Sequence, residues 1–306
     1  MSTFLITSAT GRQGASTARL LLAKGAKVNA LVRDPSSPAS LALQSLGATL
    51  FKGGFDDVDV ITAAIQGVNG VFLNTFPDFT DPNAETRAAE TFVVAARAAG
   101  TVTSFVISTV YGANSYADWG EFKADFPLLA QYYTSKAGVE KVIRASGFTY
   151  TILRPGWLMH NYIGGATAYH FPQYPTERVL VVSYPPDFRI DHLDADDVGQ
   201  FAAAALLDPA RFSGKELDLV NEWLTFDEVA AHLSKAIGTE VKVQFRTEAE
   251  TVEARKVLPT IEGQLWKPKH GKSVASLAEY GFRLTTFAEF LEREKSAIRK
   301  TVGIEA

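Results

Sequence analysis

The apolar and polar positions of this chain fall into two stretches with different rhythms. In the first, short apolar runs alternate with longer segments of helical spacing. Thr3 to Thr7, Lys27 to Val32, Thr49 to Lys52, Gly70 to Asn74, Ser104 to Ser108 and Thr149 to Arg154 read as strands. They run apolar without strict alternation, as strands covered on both faces do. Ala15 to Lys24, Asn83 to Ala98 and Leu128 to Ala145 carry helical periodicity between them, the first with Ala18, Leu20 and Leu21 on its inner side. Strands separated by helices specify βαβ units, hence an α/β fold built as a Rossmann-type doubly wound parallel sheet.

After about Pro155 the rhythm breaks. Residues 160 to 190 are rich in Tyr, Pro and Gly and read as loop and insertion over the C-terminal edge of the sheet. Asp194 is expected to cap a helix over Ala195 to Leu207, Thr225 to cap one running through Leu233, and Thr286 to Thr301 to form the last. The expected division is a nucleotide-binding domain over 1–155, with the helix near 195–207 packing back on it, and a smaller C-terminal substrate lobe over 156–306.

Composition narrows the function classes. Hydrophobic residues make up 46% and charged residues 21%, so a self-sufficient core is within reach. A net charge of −4, with no run of five like charges, gives no nucleic-acid footprint. The absence of cysteine excludes disulfides, thiolate metal ligands and a cysteine nucleophile. The start of the chain lacks a basic and apolar leader pattern, and the apolar stretch Phe201 to Leu207 is too short to span a bilayer. A cytoplasmic protein acting on a small molecule, with no nucleic-acid or membrane partner, is expected; oligomeric state is left open.

The candidate chemistry begins at the first turn. Thr7, Ser8, Ala9, Thr10, Gly11, Arg12, Gln13 and Gly14 follow a strand and open a helix. In that context Gly11 lets backbone approach a pyrophosphate, Gly14 lets helix and sheet pack closely, and the helix N-terminus offers N–H groups to phosphate. Ser8 stands where a three-glycine version has its first glycine. A glycine-containing loop without a ligand is the alternative. Arg33 ends the second strand, where a guanidinium pairs with the 2′-phosphate of NADP; the neighbouring Asp34 keeps NAD open, and Arg12 is a second phosphate partner. NADP(H) is the favoured cofactor, and a solvated surface charge is the plain reading of Arg33.

Tyr132 and Lys136 lie four residues apart, on one face of a helix. The lysine is expected to favour the phenolate of Tyr132, easing proton donation, and to hold ribose. Tyr133 is three from Lys136 and fits the spacing less well. Ser108 and Thr109 end the fifth strand, where hydroxyls can orient a substrate carbonyl or simply cap the strand.

The segments Thr7 to Gly14, Leu31 to Pro35, Ser135 to Glu140 and Leu153 to Met159 together resemble the NmrA-like branch of the atypical short-chain dehydrogenases/reductases, over most of the chain. The resemblance implies that Gly11 to Gly14 hold pyrophosphate and Arg33 the 2′-phosphate. Phe55 would line adenine, and Asn74, Thr75 and Phe76 would lie beside the cofactor. Lys136 would bind ribose, and Pro155, Gly156, Trp157 and Leu158 would run along the nicotinamide. The family holds reductases of quinones, enones, imines and phenylpropanoid-type compounds, and also nucleotide sensors that lack the tyrosine. Tyr132 and Thr109 tilt the expectation to an NADPH-dependent reductase of a small conjugated or aromatic electrophile. The alternatives are an NADP(H)-sensing regulator that binds a protein partner and a nucleotide-sugar epimerase or dehydratase, against which Arg33 argues.

Other polar groups are read plainly. The acids and imidazole of Asp191 to Asp197 lack metal-ligand spacing, so no metal is expected. His160 is a candidate substrate contact, though a lone histidine is commonly structural. Trp157 and Tyr162 either line an apolar pocket or belong to the core, and Asp78 to Asp81 form a surface turn.

Overall fold

A computed structural model describes residues 1–116, 122–270 and 276–304. Its strands are β1 (Thr3–Ile6), β2 (Lys27–Val32), β3 (Thr49–Lys52), β4 (Gly70–Leu73), β5 (Ser104–Ser108), β6 (Thr149–Pro155), β7 (Trp157–Leu158), β8 (Val179–Val182), β9 (Ile190–Leu193), β10 (Lys215–Leu219), β11 (Glu222–Leu224) and β12 (Lys242–Phe245). The helices of seven residues or more are α1 (Arg12–Ala23), α2 (Pro38–Ser45), α3 (Val58–Ala64), α4 (Ala84–Ala99), α5 (Pro127–Arg144), α6 (Ala195–Leu207), α7 (Phe226–Ile237), α8 (Glu248–Arg255), α9 (Ile261–His270), α10 (Phe287–Arg293) and α11 (Lys295–Thr301).

The chain divides into two compact units. The first, residues 1–119, 131–155 and 195–219, holds a seven-stranded sheet in the order β10-β6-β5-β4-β1-β2-β3, every pair parallel. This is the doubly wound Rossmann-type fold. The order reverses between β1 and β4, which opens a crevice at the carboxyl ends of those strands. One core of the unit gathers Leu5, Val71, Leu73, Phe105, Ile107 and Ile152 from the strands with Ile61, Phe92 and Ile143 from the helices. Elsewhere in the unit α1 packs on α6, where a Cβ on Gly199 would stand 2.4 Å from Ser16 Oγ.

The seventh strand escapes the sequence reading. Lys215–Leu219 alternates polar and apolar side chains, as a sheet-edge strand does, so it lacks the apolar run of its neighbours. The short helices α2 and α3 are likewise unmarked by periodicity; both are capped, by Ser37 and Asp57.

The second unit comprises residues 120–130, 156–194 and 220–306. Its small sheets are β11-β9-β7 and β12-β8. Residues 160–190, expected as loop, carry much of its core: Tyr162, Ile163, Phe171, Tyr174, Leu180 and Val182 are all buried. Single 3₁₀ and α turns there leave too few residues for a period to show. Thr225 caps α7 with a full capping box, and the helix continues past Leu233 to Ile237. The final helix is two helices, parted at Glu294.

Candidate functional site

The turn after β1 is built around Ser8, whose φ of 45° lies in the left-handed region. That conformation favours glycine, and here Ser8 Oγ offsets it by donating to the Asn74 carbonyl at 2.8 Å. Thr7 Oγ1 donates to Phe72 O at 3.1 Å and accepts from Asn74 N at 2.8 Å, so the ends of β1 and β4 are tied together. Gly11 N donates back to Ser8 O at 2.8 Å. A Cβ on Gly14 would sit 2.3 Å from that same carbonyl oxygen, so the helix can reach the turn only with glycine there. The corresponding distance at Gly11 is 3.1 Å, a milder constraint. No side chain caps α1, which leaves its N-terminal amides to a ligand. Thr10, Gly11 and Arg12 are exposed there.

Arg12 and Arg33 are both exposed, and neither forms an ion pair or hydrogen bond among the described residues. Asp34 is different. Its Oδ1 accepts from Ser36 Oγ at 2.6 Å and Ser36 N at 2.9 Å, which holds the carboxyl below its usual range. One of its two acceptor oxygens is thus engaged with its own turn. Phe55 is half-buried and meets Phe92 edge-on at 6.2 Å. At the end of β4, Thr75 is buried, whereas Phe76 is 80% exposed.

Lys136 is buried, and its neighbourhood contains a residue that the sequence reading missed. Glu85, on the first turn of α4 and 1% exposed, accepts from Lys136 Nζ at 2.6 Å, Ser135 Oγ at 2.6 Å and Thr75 Oγ1 at 2.5 Å. Lys136 Nζ also donates to Thr75 O at 3.0 Å. An acid at a helix start reads as a dipole complement, so sequence alone hides this role. A visible signal was Gly138: a Cβ there would meet Thr86 Oγ1 at 2.2 Å, so it allows α5 to close on the turn bearing Glu85.

Tyr132 shares its helix face with Lys136, whose Nζ lies 5.8 Å from the ring centroid. The expected easing of ionisation is overturned. Burial pushes the Tyr132 phenol well above its usual value, and Glu85 pushes it further. The lysine charge is already matched by that carboxylate. Tyr132 is thus a protonated phenol, and its hydroxyl has no hydrogen-bond partner among the described residues. Tyr133 is buried, with its hydroxyl donating to Tyr111 O at 3.2 Å.

The two strand-end hydroxyls are engaged. Ser108 Oγ donates to Gln13 Oε1 at 2.7 Å and so steadies the glycine turn. Thr109 Oγ1 donates to the buried Glu140 Oε1 at 2.7 Å. Glu140 also accepts from Arg154 Nε and Nη2, both at 2.8 Å, and from Arg144 Nη2 at 2.6 Å, while Arg154 and Arg144 reach Glu216. Thr109 therefore belongs to a buried ionic network, and its expected role in orienting a carbonyl gives way to a structural one.

Pro155 closes β6 in the first unit, accepting from Tyr111 N at 3.0 Å. Gly156, Trp157 and Leu158 belong to the second. A Cβ on Gly156 would stand 2.7 Å from Asp191 Oδ2, so this glycine is demanded by packing. Trp157 lies against that unit's core beside His170 and Phe171, and Tyr162 is core outright, stacked on Phe171 at 5.2 Å with its hydroxyl 3.0 Å from His192 Nε2. His160 lies 3.9 Å from Asp194 and packs edge-on against Phe290. Three of the four acids of 191–197 are matched to cations: Asp191 to Lys267 at 2.6 Å, Asp194 to Arg293 at 2.6 Å, Asp196 to Arg19 at 3.2 Å. No group of three metal-ligand side chains occurs among the described residues, nor does any helix there have the length and apolarity to cross a membrane.

The NmrA-like family matches residues 1–278. The chain is 29% identical over 262 residues to the NmrA-like family domain-containing oxidoreductase FrzB of Cladobotryum sp, covering 79% of this chain and 76% of that protein. It is 29% identical over 263 residues to quinone oxidoreductase 2 of Escherichia coli, covering 84% and 82%. The structure of that E. coli NADPH-dependent quinone oxidoreductase complexed with NADPH superposes with a TM-score of 0.72 at 25% identity, over 95% of this chain and 99% of that one.

Proposed function

This chain belongs to the NmrA-like family, and from that premise we propose that it is an NADPH-dependent reductase of small conjugated or aromatic electrophiles. The residues present fit the cofactor. Gly11 to Gly14 and the open N-terminus of α1 form a phosphate cradle, and the lack of a Cβ at Gly14 lets the helix start close against the Ser8 turn. Arg33 and Arg12 have guanidiniums to give to a 2′-phosphate, whereas Asp34, with Oδ1 taken by Ser36, has one carboxylate oxygen left to offer the two hydroxyls of a ribose diol. Thr7, Ser8, Thr10, Gln13, Asn74, Thr75, Phe76 and Phe55 surround that cradle in this reading. Bound there, NADPH supplies the hydride; the overall change is NADPH, a proton and a quinone giving NADP⁺ and a hydroquinone.

The observation that carries the reductase reading is the pairing of Lys136 with Tyr132. A buried ammonium, locked by Glu85, orients ribose, and a phenol with an unspent O–H lies on the same helix face. A phenol held protonated is a reserve donor, useful when the product anion is strongly basic and dispensable when it is not. Tyr132→Phe is therefore expected to lower kcat on an aldehyde or ketone roughly 100-fold, because an alkoxide forms. On a quinone the loss is expected to stay below roughly threefold, since a hydroquinone anion can take its proton from water. Equal loss on both acceptors, or on neither, would contradict this role.

A further inference from the structure

Beside its core, at Trp157, the second unit holds a polar cluster that the phosphate and ribose contacts of the cofactor reading do not use. Lys267, on α9, donates to Asp191 Oδ1 at 2.6 Å. Asp191 is 2% exposed, and its Oδ2 is buried without a hydrogen-bond partner, packed towards Gly156. The lysine side chain is 20% accessible, and two of its three N–H groups have no partner among the described residues. Its Nζ lies 6.0 Å from the centroid of the Trp157 ring. His170 meets that indole edge-on at 4.6 Å, and its Nδ1 is buried without a partner. Burial, aided by Lys267, holds His170 down to about 4, so the imidazole is neutral near pH 7.

We propose that Lys267, His170 and Trp157 form a recognition site for the carbonyl end of a planar, uncharged conjugated compound, with Lys267 donating to the carbonyl oxygen. This rests on the reductase reading and names its acceptor class. Asp191 cancels the charge of Lys267, so a carboxylate or phosphate would lose hydration against a pair of zero net charge. A planar cation stacked on Trp157 would share that ring with an ammonium already 6.0 Å from its centroid and would be repelled by it. An uncharged carbonyl instead takes an unspent N–H, and that bond strengthens as its oxygen gains negative charge. Trp157 supplies the aromatic area.

Duroquinone is a suitable probe: its ring positions are all methylated, so it does not add to amines. Its affinity for the full chain saturated with NADP⁺ would be measured by titration calorimetry. The variants are K267M/D191N, which removes both charges and leaves neither buried alone, and K267R, which keeps the pair. The double variant should bind duroquinone about tenfold more weakly or worse, and K267R should stay within roughly threefold of the parent, with NADP⁺ affinity unchanged in both. The parent should also bind duroquinone more tightly than N-methylquinolinium, a planar cation. No binding of duroquinone by the parent, equal binding by K267M/D191N, or preference for the cation would overturn the site. Should the double variant lose NADP⁺ affinity, H170A decides: a loss of about fivefold supports the site, and unchanged affinity overturns it. Duroquinone binding with no NADPH oxidation, on it or on any other conjugated carbonyl tried, would leave this site standing and remove the reductase reading.

Discussion

Glu85 and Glu140 are buried carboxylates, and each takes hold of a side chain that the sequence assigns to chemistry. Glu85 fixes Lys136 and raises the cost of ionising Tyr132; Glu140 takes the hydroxyl of Thr109. Neither acid lies near its partner in sequence: 51 residues separate Glu85 from Lys136, and 31 separate Thr109 from Glu140. A motif names donors, but only the fold shows which are already spent. Glu140→Ala would remove two hydrogen bonds from the Arg154 guanidinium, 1% exposed, leaving it paired with Glu216, and is expected to cost about 1–3 kcal/mol in denaturant unfolding. Arg33→Ala tests the other kind of residue, one with a charge to give. Loss of a charge-assisted bond of about 1.5–3 kcal/mol should weaken NADPH binding roughly 10- to 100-fold. NADH, lacking the 2′-phosphate, should bind the variant and the parent alike; parallel losses for both cofactors would return Arg33 to the solvated surface.

Elements were legible where one physical rule decides them. The strands buried on both faces, β1, β2, β4 and β5, read as apolar runs, and α4 and α5 carry enough turns for a period to show. The edge strand β10 was lost because an edge alternates, and 160–190 because its turns are single. α1 begins at Arg12, three residues before its apolar spacing starts, since its first turn exposes Arg12, half-buries Gln13 and buries only the backbone of Gly14, with no core side chain before Ser16. That placement makes Gly14 the most sensitive point of the element. Gly14→Ala puts a methyl 2.3 Å from the Ser8 carbonyl oxygen. The forced shift is expected to cost about 1–3 kcal/mol of stability and to abolish measurable NADPH binding in a fluorescence titration. Retained affinity would show that the turn yields more easily than its packing implies.

The whole molecule carries its pH dependence in buried histidines and in the ionic network. Burial holds His192 down to about 3 and His170 to about 4, against an ordinary 6.5. Unfolding frees both to take a proton, so the stability they contribute is present above about 6.5 and is lost as pH falls below it. The expected slope is about 1.4 kcal/mol per pH unit for each histidine within that window. Glu216, held to about 2 first by its hydrogen bond from Arg144, loses its contribution at lower pH, as pH falls from its usual 4.5 towards 2. Urea midpoints should therefore begin to decline near pH 6.5 and keep falling as the Glu216 contribution is lost below about 4.5, and a flat profile between pH 7 and 5 would show that the histidines are not buried neutral in solution. The two-unit division is written in the sequence as the loss of rhythm near Pro155, with the helix near 195–207 expected back on the first unit; that the strand 215–219 returns as well depends on its long-range pairing with β6, which no local pattern reveals.

NADPH reduction of an uncharged conjugated acceptor is the claim on which the rest depends. Its most direct test is the loss of NADPH absorbance with a panel of quinones, enones, aldehydes and cyclic imines, run beside NADH at matched concentration. The account predicts multiple turnovers with at least one conjugated carbonyl acceptor, and NADPH strongly preferred to NADH. NADPH bound tightly with no turnover on any acceptor would contradict it, and would make the protein a sensor of its cofactor.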